Sequence, residues 1–480
     1  MLTYSFADIR SESLYEHLYK CIKNDCIYGN LKPGDKLPSK RSFAKNLGIS
    51  VITVENAYEQ LKAEGYIYSL PKKGFYVSNL QNKLSSSQIV VSSENVLMTS
   101  EDKKYFADFS SNRAIKECFP FTVWAKLLRE CLNDYQESLL ISSPAGGLIE
   151  LRCAISKHLK QFRGMDVKPE QIIVGSGTEY LYGQIVQLLG HDKVYGVEDP
   201  GYKKMAMIYK ANAANVKYIS FESEGININE LVDKKVDVAH ISPSHQFPTG
   251  IITPISKRYE LLGWASKNEN RYIIEDDYDS EFRMTRKLMP TLQSIDTIEK
   301  VIYLNTFSKS IAPTLRISYM VLPRHLADIY YQKLSFYTCP VTNLVQLVLA
   351  RFIDEGYFEK YINRMRNYYR KQRDLLLNEI NESIISDYVK ISEADSGLHF
   401  VMHIDIPCND EEFKYRLERR NVRICALSEY FHNHMKQTEH DFLLNYSSLS
   451  EDTIRKSVKI IAQEILAVKS KAELVPVKNT

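Results

Sequence analysis

Lys309 ends an apolar segment in a way that suggests chemistry. The segment 301–309 reads VIYLNTFSK, with four apolar residues first and then hydroxyl groups around a single amine. A buried strand would bring that amine into low-dielectric surroundings, where the pKa of a lysine falls and its nucleophilicity rises. Thr306, Ser308 and Arg316 add donors of the kind that bind a phosphate group. The sequence therefore predicts a nucleophilic lysine next to an anion site.

Two other apolar segments end on groups that would complement this lysine. In 171–178, QIIVGSGT, the turn 175–178 follows a strand-like run and precedes a helical pattern, so its N–H groups are suited to an anion. In 271–278, RYIIEDDY, the carboxylates of Glu275, Asp276 and Asp277 stand at the mouth of a buried run, where a carboxylate must be paired or hydrogen-bonded. An anion cradle, a carboxylate and an activated lysine together meet the requirements of pyridoxal phosphate (PLP).

Alternating strands and helices must position these groups. Apolar runs of strand length, including 237–243 as well as the three segments above, recur between helical stretches. Such alternation predicts an open, largely parallel sheet, and the ligands of such sheets bind beyond the carboxyl ends of the strands. We therefore expect an α/β domain in which Asp276, Lys309 and the turn 175–178 meet at one sheet edge.

Length and composition indicate a protein of two or three globular units. The chain has 480 residues, of which 44% are hydrophobic and 25% charged, as is ordinary for a protein with sizeable cores. Because no apolar run reaches membrane-spanning length and the first residues lack an export signal, a cytoplasmic protein is expected. The eight cysteines form no C-x-x-C pair, which argues against disulfides and against a metal site.

The basic surplus of the chain is confined to its first 80 residues. They hold 11 Lys and Arg against 8 Asp and Glu, which accounts for the whole net charge of +3. A surplus of this size permits contact with nucleic acid but does not demonstrate it. The evidence for such contact has to come from the pattern of this part of the chain.

The same 80 residues have the pattern of three helices and a hairpin. Leucine and isoleucine recur every four residues in 11–29, and two further helices are expected after the N-cap residues Ser39 and Ser50, separated by Gly48. Two short β-prone runs in 66–78 then flank a basic tip. Three helices with a tight glycine turn, followed by a basic hairpin, are the order of a winged helix-turn-helix.

The last of these helices has one apolar and one polar face. Val54, Tyr58 and Leu61 follow a spacing of i, i+4 and i+7 and should face the core. Thr53 and Asn56 lie on the outer face and are the expected base-reading residues. A helical interaction module with a solvated basic loop is the alternative interpretation of this part of the chain.

The string LKPGDKLPSKRSFAKNLGISVITVENAYEQLKAEGYI resembles the GntR-type DNA-binding domain, and the resemblance covers nearly all of residues 10–78. Many such domains carry arginines early in the recognition helix, where this chain has Val51 and Glu55, which weakens the case for bidentate guanine readout there. The resemblance implies that three sets of residues contact DNA. Phosphates would be bound by Ser39, Lys40 and Arg41, and the major groove would be contacted by Ser50, Thr53 and Asn56. The wing would contribute Lys72, Lys73 and Gly74.

A segment rich in Ser, Asn and Lys, residues 79–104, separates this module from the rest of the chain. Its composition predicts a flexible linker, which would let the DNA-binding module change its position relative to the remaining chain. The expected organisation is a winged helix-turn-helix DNA-binding domain at 1–78, the linker, and one large effector domain at 105–480. Within the large domain the pattern indicates a substructure after about residue 390.

Three segments of the large domain, SPSHQFPTG (242–250), EDDYDSEFR (275–283) and NTFSKSIAPTLRISY (305–319), resemble the fold-type I aminotransferases. With the N-terminal module in front, the whole chain resembles the MocR-type transcriptional regulators. The resemblance implies a homodimer in which Lys309 is the Schiff-base residue and Asp276 lies against the pyridine nitrogen of PLP. It also implies that two further sets of residues contact PLP. The residues around the ring would be Tyr202, Tyr278, His245 and Gln246. The residues around the phosphate would be Ser176, Gly177, Thr178, Thr306, Ser308 and Arg316.

Leu443 distinguishes the two functions that this resemblance leaves open. Aminotransferases bind the substrate carboxylate with an arginine in a late strand, and in 442–449, FLLNYSSL, Leu443 takes that place. We therefore expect a transcription factor that binds operator DNA and senses PLP, or an amine or amino-acid ligand, through a Schiff base on Lys309. The alternative is an active aminotransferase that carries an accessory DNA-binding domain. Candidate residues for binding an effector anion are Lys204, His399 and Arg423.

Overall fold

The computed structural model describes residues 2–4, 6, 13–79, 104–111, 118–282, 289–395, 397–432 and 439–473. The chain divides into two compact units, Met1–Asp102 and Lys103–Thr480. The predicted linker lies, from residue 80 to residue 103, outside the described residues. Among the described helices, none combines the length and the apolar content needed to cross a membrane.

The first unit is a three-helix module with a β-hairpin. Its elements in chain order are α1 (Leu14–Ile27), α2 (Lys40–Leu47), α3 (Val51–Ala63), β1 (Ile67–Leu70) and β2 (Gly74–Val77). As predicted, the hydroxyl groups of Ser39 and Ser50 accept hydrogen bonds from the first turns of α2 and α3. Gly48 ends α2 with a φ of 68°, a left-handed conformation that glycine adopts without strain.

The core of the first unit confirms the predicted faces of α3. Val54, Tyr58 and Leu61 are fully buried and pack with residues of α1 and of the hairpin. Thr53 is half-buried and Asn56 is exposed, as expected for the outer face. Helices α1, α2 and α3 with the antiparallel pair β1–β2 form the predicted winged helix-turn-helix.

The second unit is much larger and alternates strands with helices through most of its length. Its elements in chain order are β3 (Ala107–Asp108), α4 (Phe121–Asp134), α5 (Ile149–Arg163), β4 (Ile172–Gly175), α6 (Thr178–Leu189), β5 (Val194–Asp199), α7 (Lys203–Ala211), β6 (Asn215–Glu222), β7 (Gly225–Ile226), α8 (Ile228–Asp233), β8 (Val238–Ile241), α9 (Ile255–Ser266), β9 (Tyr272–Asp276), α10 (Leu292–Ile295), β10 (Val301–Thr306), α11 (Phe307–Ser310), β11 (Ser318–Val321), α12 (Arg324–Leu334), α13 (Asn343–Asp354), α14 (Tyr357–Asn381), β12 (Val389–Ser392), β13 (His399–Ile404), α15 (Asp410–Arg419), β14 (Val422–Arg423), β15 (Cys425–Ala426), β16 (Asp441–Asn445) and α16 (Glu451–Glu473).

An eight-stranded sheet in the order β4-β11-β10-β9-β8-β5-β6-β7 forms the centre of this unit. Strands β10, β9, β8, β5 and β6 pair in parallel, whereas β11 is antiparallel to both of its neighbours, β10 and β4. Strand β4 therefore runs in the same direction as β10. The four strands predicted from sequence are all present, and their carboxyl ends lie at one edge of a largely parallel sheet.

Apolar side chains cover both faces of this sheet. In β4, Ile172 and Val174 belong to one core cluster, and Ile173, which points to the opposite face, belongs to another. The same alternation separates Tyr303 from Ile302 and Leu304 in β10. Burial on both faces explains why these strands have continuous apolar sequences rather than alternating ones.

A second, antiparallel sheet in the order β12-β13-β16-β15 follows in the last part of the chain. It begins at Val389, close to the residue after which the sequence indicates a substructure. Strand β16, which contains Leu443, is paired on both sides, with β13 and with β15. This pairing holds the late strand in place next to the main sheet's ligand edge. All eight cysteines of the chain are free thiols.

Candidate functional site

Lys309 lies in the short helix α11, directly after β10, at the carboxyl edge of the main sheet. Thr306 caps this helix, because its Oγ1 atom accepts a hydrogen bond from the N–H of Ser308 at 3.1 Å. Burial lowers the pKa of the Lys309 amine, and the carboxylates of Asp279 and Asp276 act in the opposite direction. The strand end thus presents an amine whose neutral, nucleophilic form is favoured by desolvation.

Asp276 lies at the end of β9, where it pairs with Leu304 of β10 in the sheet register. Its Oδ2 atom accepts a hydrogen bond of 2.7 Å from the hydroxyl group of Tyr182, and His240 Nε2 lies 3.5 Å from the same oxygen. The Oδ1 atom is buried and has no hydrogen-bond partner in the described part of the chain. A buried, unsatisfied acceptor of this kind fits the protonated ring nitrogen of PLP.

The turn before α6 forms a cradle suited to an anion. Gly177 has a φ of +97°, and a Cβ atom there would lie 2.6 Å from Nη2 of Arg316. Only glycine therefore leaves room for the guanidinium group above the start of the helix. The buried hydroxyl group of Ser308 has no partner among the described residues. These donors and the N-terminus of α6 fit a phosphate group.

Glu179 in the first turn of α6 forms ion pairs with two cations near this cradle. Its carboxylate accepts a hydrogen bond of 3.2 Å from Nη2 of Arg316 and also pairs with Lys204. The hydrogen bond from Lys204, in the first place, lowers the pKa of Glu179, so the carboxylate is ionised at neutral pH. An anion that binds at the cradle has to share Arg316 with this carboxylate.

Tyr278 and His245 form a hydrogen-bonded group with Asp279, and Tyr278 and Asp279 line one cavity with Lys309. His245 Nδ1 lies 3.1 Å from the hydroxyl oxygen of Tyr278 and 2.8 Å from Oδ2 of Asp279. The imidazole is packed against Gly397, where a Cβ atom would lie 2.0 Å from its Cε1 atom. Gln246 serves a different purpose, because its amide donates to the carbonyl of Pro200 at 2.8 Å and so fixes the loop.

A small cavity of about 60 Å³ lies beside Lys309. Besides the lysine, its walls include Tyr278, His399, Leu443 and Asn445. Burial lowers the pKa of His399 to about 3, so this imidazole is neutral at physiological pH. Among the described residues that line the cavity, Lys309 is consequently the only cation.

The remaining predicted PLP and effector residues lie at different distances from this cavity. Tyr202 stands just before α7 and packs edge-on against Phe247, which lines the cavity. Lys204 is exposed and paired with Glu179, outside the cavity walls. Arg423 is exposed on β14 and lies over the ring of Tyr105 at 5.6 Å. Of the three effector candidates only His399 lines the cavity, and the assignment of all these residues stays a prediction.

Sequence reasoning missed several groups behind the site. Tyr182 and His240 contact Asp276, while Asp279 contacts His245. Glu198, at the end of β5, is buried and receives hydrogen bonds from the Ser242 N–H and the Gln246 amide, and burial raises its pKa to about 8. A signal was present for two of them, since a histidine and a glutamate interrupt otherwise apolar strand patterns.

In the first unit, three of the predicted DNA-contact residues have partners within the module. Lys40 Nζ lies 2.7 Å from Glu55 and 3.6 Å from Glu59. The hydroxyl groups of Ser50 and Thr53 share a hydrogen bond of 2.8 Å.

The other predicted DNA contacts lie at the module's surface. Asn56 and Arg41 are exposed, and so are Lys72 and Lys73 at the hairpin tip. Ser39 caps α2, and Gly74 begins β2 with a φ of +110°. These DNA contacts stay predictions.

Comparison with known proteins places both units. The profile of bacterial regulatory proteins of the gntR family matches residues 14–77, and that of the aminotransferase class I and II family matches residues 108–461. The chain is 36% identical over 446 residues to the HTH-type transcriptional regulator YdeL of Bacillus subtilis, covering 93% of this chain and 95% of YdeL. It is 28% identical over 475 residues to the probable rhizopine catabolism regulatory protein MocR of Rhizobium meliloti, covering 96% and 95%.

A solved structure supports the same assignment for the large unit. The Pyrococcus horikoshii kynurenine aminotransferase, in complex with PMP, superposes with a TM-score of 0.66 at 25% identity. The match covers 77% of this chain and 91% of that chain. The predicted fold class and both resemblances are confirmed.

Proposed function

Because the chain belongs to the aminotransferase class I and II family, and to the MocR-type HTH transcriptional regulators that carry a gntR-family domain in front, we propose that its PLP site controls how it binds DNA. The chain is a DNA-binding transcriptional regulator whose large domain is aminotransferase-like and PLP-dependent. In this proposal the signal is PLP itself, or an amine or amino acid that reacts with it, and Lys309 holds it.

Four groups of this chain would hold PLP. Lys309 would bind it covalently, Asp276 would keep a proton on the ring nitrogen through Oδ1, and Arg316 with Ser308 would bind the phosphate. The lowered pKa of Lys309 supports the first role, because it leaves more of the amine unprotonated at neutral pH. When bound, PLP supplies an aldehyde that captures primary amines and a ring that withdraws electrons from them.

The residues that line the cavity favour sensing over catalysis. Leu443 is 4% exposed and lines the cavity with Lys309, and no other described lining residue is a cation. A carboxylate that entered this cavity would lose its hydration without gaining an arginine. Turnover of ordinary α-amino acids is therefore disfavoured, and PLP or an amine without that carboxylate is the better signal.

A transaminase half-reaction is the second candidate. Two observations favour this half-reaction: the lowered pKa of Lys309 and the unsatisfied buried oxygen Oδ1 of Asp276. This candidate predicts keto-acid or aldehyde production from some amine by the chain even after the DNA-binding module is deleted. A regulator without such turnover produces neither.

Titration of the purified apo-protein with PLP, followed by DNA binding, tests the main proposal. We expect the affinity for an operator duplex, or the bend that the protein imposes on it, to change with cofactor saturation, because the two forms favour different arrangements of the modules. Fluorescence anisotropy and circular-permutation mobility measure the two quantities. Unchanged affinity and unchanged geometry across saturation would contradict the proposed coupling.

Borohydride reduction with peptide mapping tests the cofactor residue separately. Reduction of the holo-protein should place a pyridoxyl group on the peptide that contains Lys309. The Lys309→Gln variant should carry none, and Lys267→Gln, at an exposed lysine just after α9, should label as fully as the unaltered chain. A label on another lysine would overturn the assignment of Lys309.

A further inference from the structure

The exposed start of α3 is apolar. Val51 and Ile52 are the first two residues of this helix, directly after the cap Ser50, and their exposed fractions are 41% and 69%. Since α3 follows the glycine turn after α2, it is the recognition helix of the module, and the N-terminal residues of such a helix meet the base edges in the major groove. Two branched alkyl side chains therefore stand where bases are read.

The hydroxyl groups beside them are used inside the module. The Oγ atom of Ser50 accepts a hydrogen bond of 3.0 Å from the N–H of Thr53 and lies 2.8 Å from its Oγ1 atom. These bonds form the N-cap of α3 and so keep the helix start in place. Because the bond between the two hydroxyl groups uses one of their two hydrogens, only one of these groups can donate to a base while both bonds are kept.

The carboxylates near the helix start are also engaged. Lys40 lies 2.7 Å from Glu55 and 3.6 Å from Glu59, with its amine 5.4 Å from the centre of the Phe75 ring. The lysine offsets one of the two negative charges that would otherwise face DNA phosphates. It also pairs with the Glu55 carboxylate, a group suited to accept from the amino group of cytosine.

The chemistry left at the surface matches one kind of base pair. The 5-methyl group of thymine is the apolar feature of the major groove, and an Asn amide pairs with N6 and N7 of adenine. Val51 and Ile52 supply apolar surface, and the exposed Asn56 supplies the amide. The exposed cations Arg41 and Lys45 lie on the preceding helix α2 and suit the flanking phosphates.

We propose that Val51 and Ile52 read thymine methyl groups, with Asn56 on a neighbouring adenine, so that the operator half-site carries A·T pairs under the start of α3. The inference rests on the DNA-binding part of the proposed function and adds the sequence that is read. It requires no base contact from arginine, which is consistent with the residues at the helix start.

Selection from a random duplex library by the full-length holo-protein supplies the probe. The selected half-site should contain adjacent A·T pairs, and repeating the selection with Val51→Arg should change one of them to G·C, which identifies the base under α3. A G·C pair in the consensus of the unaltered chain at the position that Val51→Arg identifies would overturn the proposal. A consensus that Val51→Arg leaves unchanged would overturn it as well. Failure to select any duplex would instead contradict DNA binding itself.

Replacement of thymine by uracil in the selected duplex isolates the methyl groups. We expect each dT→dU change under α3 to weaken binding about three- to fivefold, the effect of one buried methyl group, while dT→dU changes elsewhere have no effect. Base pairing is the same in both duplexes, so only the methyl contact is removed. Equal affinity for the two duplexes would overturn the proposal.

Two variants connect the methyl groups to the protein. Ile52→Ala should weaken binding to the thymine duplex by about threefold or more and should make the uracil change at its own position ineffective. The salt dependence of DNA binding should be the same for Ile52→Ala and for the unaltered chain, because no phosphate contact is lost. Ile27→Ala, an equal truncation at a side chain that is 53% exposed in α1, is the matched control and should bind both duplexes like the unaltered chain.

Discussion

Leu443, 4% exposed in β16, lies on the wall of the cavity that also contains Lys309. The same cavity contains His399, which is neutral because burial lowers its pKa to about 3. The groups suited to PLP are Asp276 Oδ1, which is buried without a hydrogen-bond partner among the described residues, and the cradle at Gly177. At the scale of residues, the site has groups that suit the cofactor, and the described lining of the cavity contains no cation besides Lys309 for a substrate carboxylate.

Leu443→Arg should restore carboxylate recognition. The affinity of the holo-protein for an α-amino acid such as L-alanine should rise about 10- to 100-fold, since a charge-assisted hydrogen bond contributes about 1.5–3 kcal/mol. The absorbance change of the bound cofactor on amino-acid addition measures this. Leu443→Met keeps an apolar wall and is the control, which should behave like the unaltered chain. No gain in the arginine variant would contradict the place given to Leu443.

Glu179→Gln should tighten PLP binding to the apo-protein severalfold. The substitution removes a negative charge that now pairs with Arg316 and would repel a phosphate dianion at the start of α6. Lys204→Gln should act in the opposite direction, because it leaves Glu179 to Arg316 alone. Equilibrium fluorescence titration with PLP, repeated with inorganic phosphate as competitor, measures both; equal dissociation constants in all three chains would contradict the competition.

At the scale of elements, two parallel strands of the main sheet, β5 and β9 on either side of β8, carry a buried carboxyl group near their carboxyl ends. Burial raises the pKa of Glu198, at the end of β5, to about 8 and that of Glu275, in β9, to about 7. Between pH 4.5 and these values the unfolded chain releases protons that the folded chain retains. The free energy of unfolding therefore falls as pH rises through this window.

Glu198→Gln should make the stability less dependent on pH. At pH 8 we expect the free energy of unfolding to rise by about 1–3 kcal/mol, since one pKa unit corresponds to about 1.4 kcal/mol, and at pH 5 to change little. The new amide can still accept the bond from the Ser242 N–H. Urea unfolding at both pH values measures the difference, with exposed Glu222→Gln as control. An equal change at both pH values would contradict the titration of Glu198.

At the scale of the whole molecule, the chain consists of two units with separate cores. The first unit packs around its own cluster, which includes Leu18, Val54 and Ile67, and the second contains the large sheet. Fold-type I proteins form their sites between two chains, as the resemblance implies. We therefore predict a homodimer whose two DNA-binding modules read paired half-sites.

The predicted dimer should bind two half-sites much more tightly than one. Linking two binding events typically raises affinity by a factor of about 100 or more when the spacing fits. Light scattering should give the mass of two chains, and anisotropy titrations should compare a duplex with both half-sites against a duplex with one scrambled. A monomer in light scattering, or equal affinity for the two duplexes, would contradict this prediction.

Much of this protein followed from local sequence patterns. The caps Ser39 and Ser50, the apolar spacing of α3 and four of the eight strands of the main sheet were predictable, because each depends on residues close together in the chain. The groups that carry chemistry at the strand ends were predictable for the same reason. The assignment of Leu443 to the place of the family's arginine stays a prediction, because it depends on aligning one segment with a known family.

Only the tertiary structure decided which polar groups are available. Lys40 pairs with Glu55, Arg316 with Glu179, and Asp276 with Tyr182. Each of these contacts joins two different elements of the fold. Periodicity assigns a side chain to a face but does not say what lies opposite. The sequence by itself therefore determined the two units and the chemistry at their edges. Folding determined which of these charges and hydroxyl groups remain available to bind PLP or DNA.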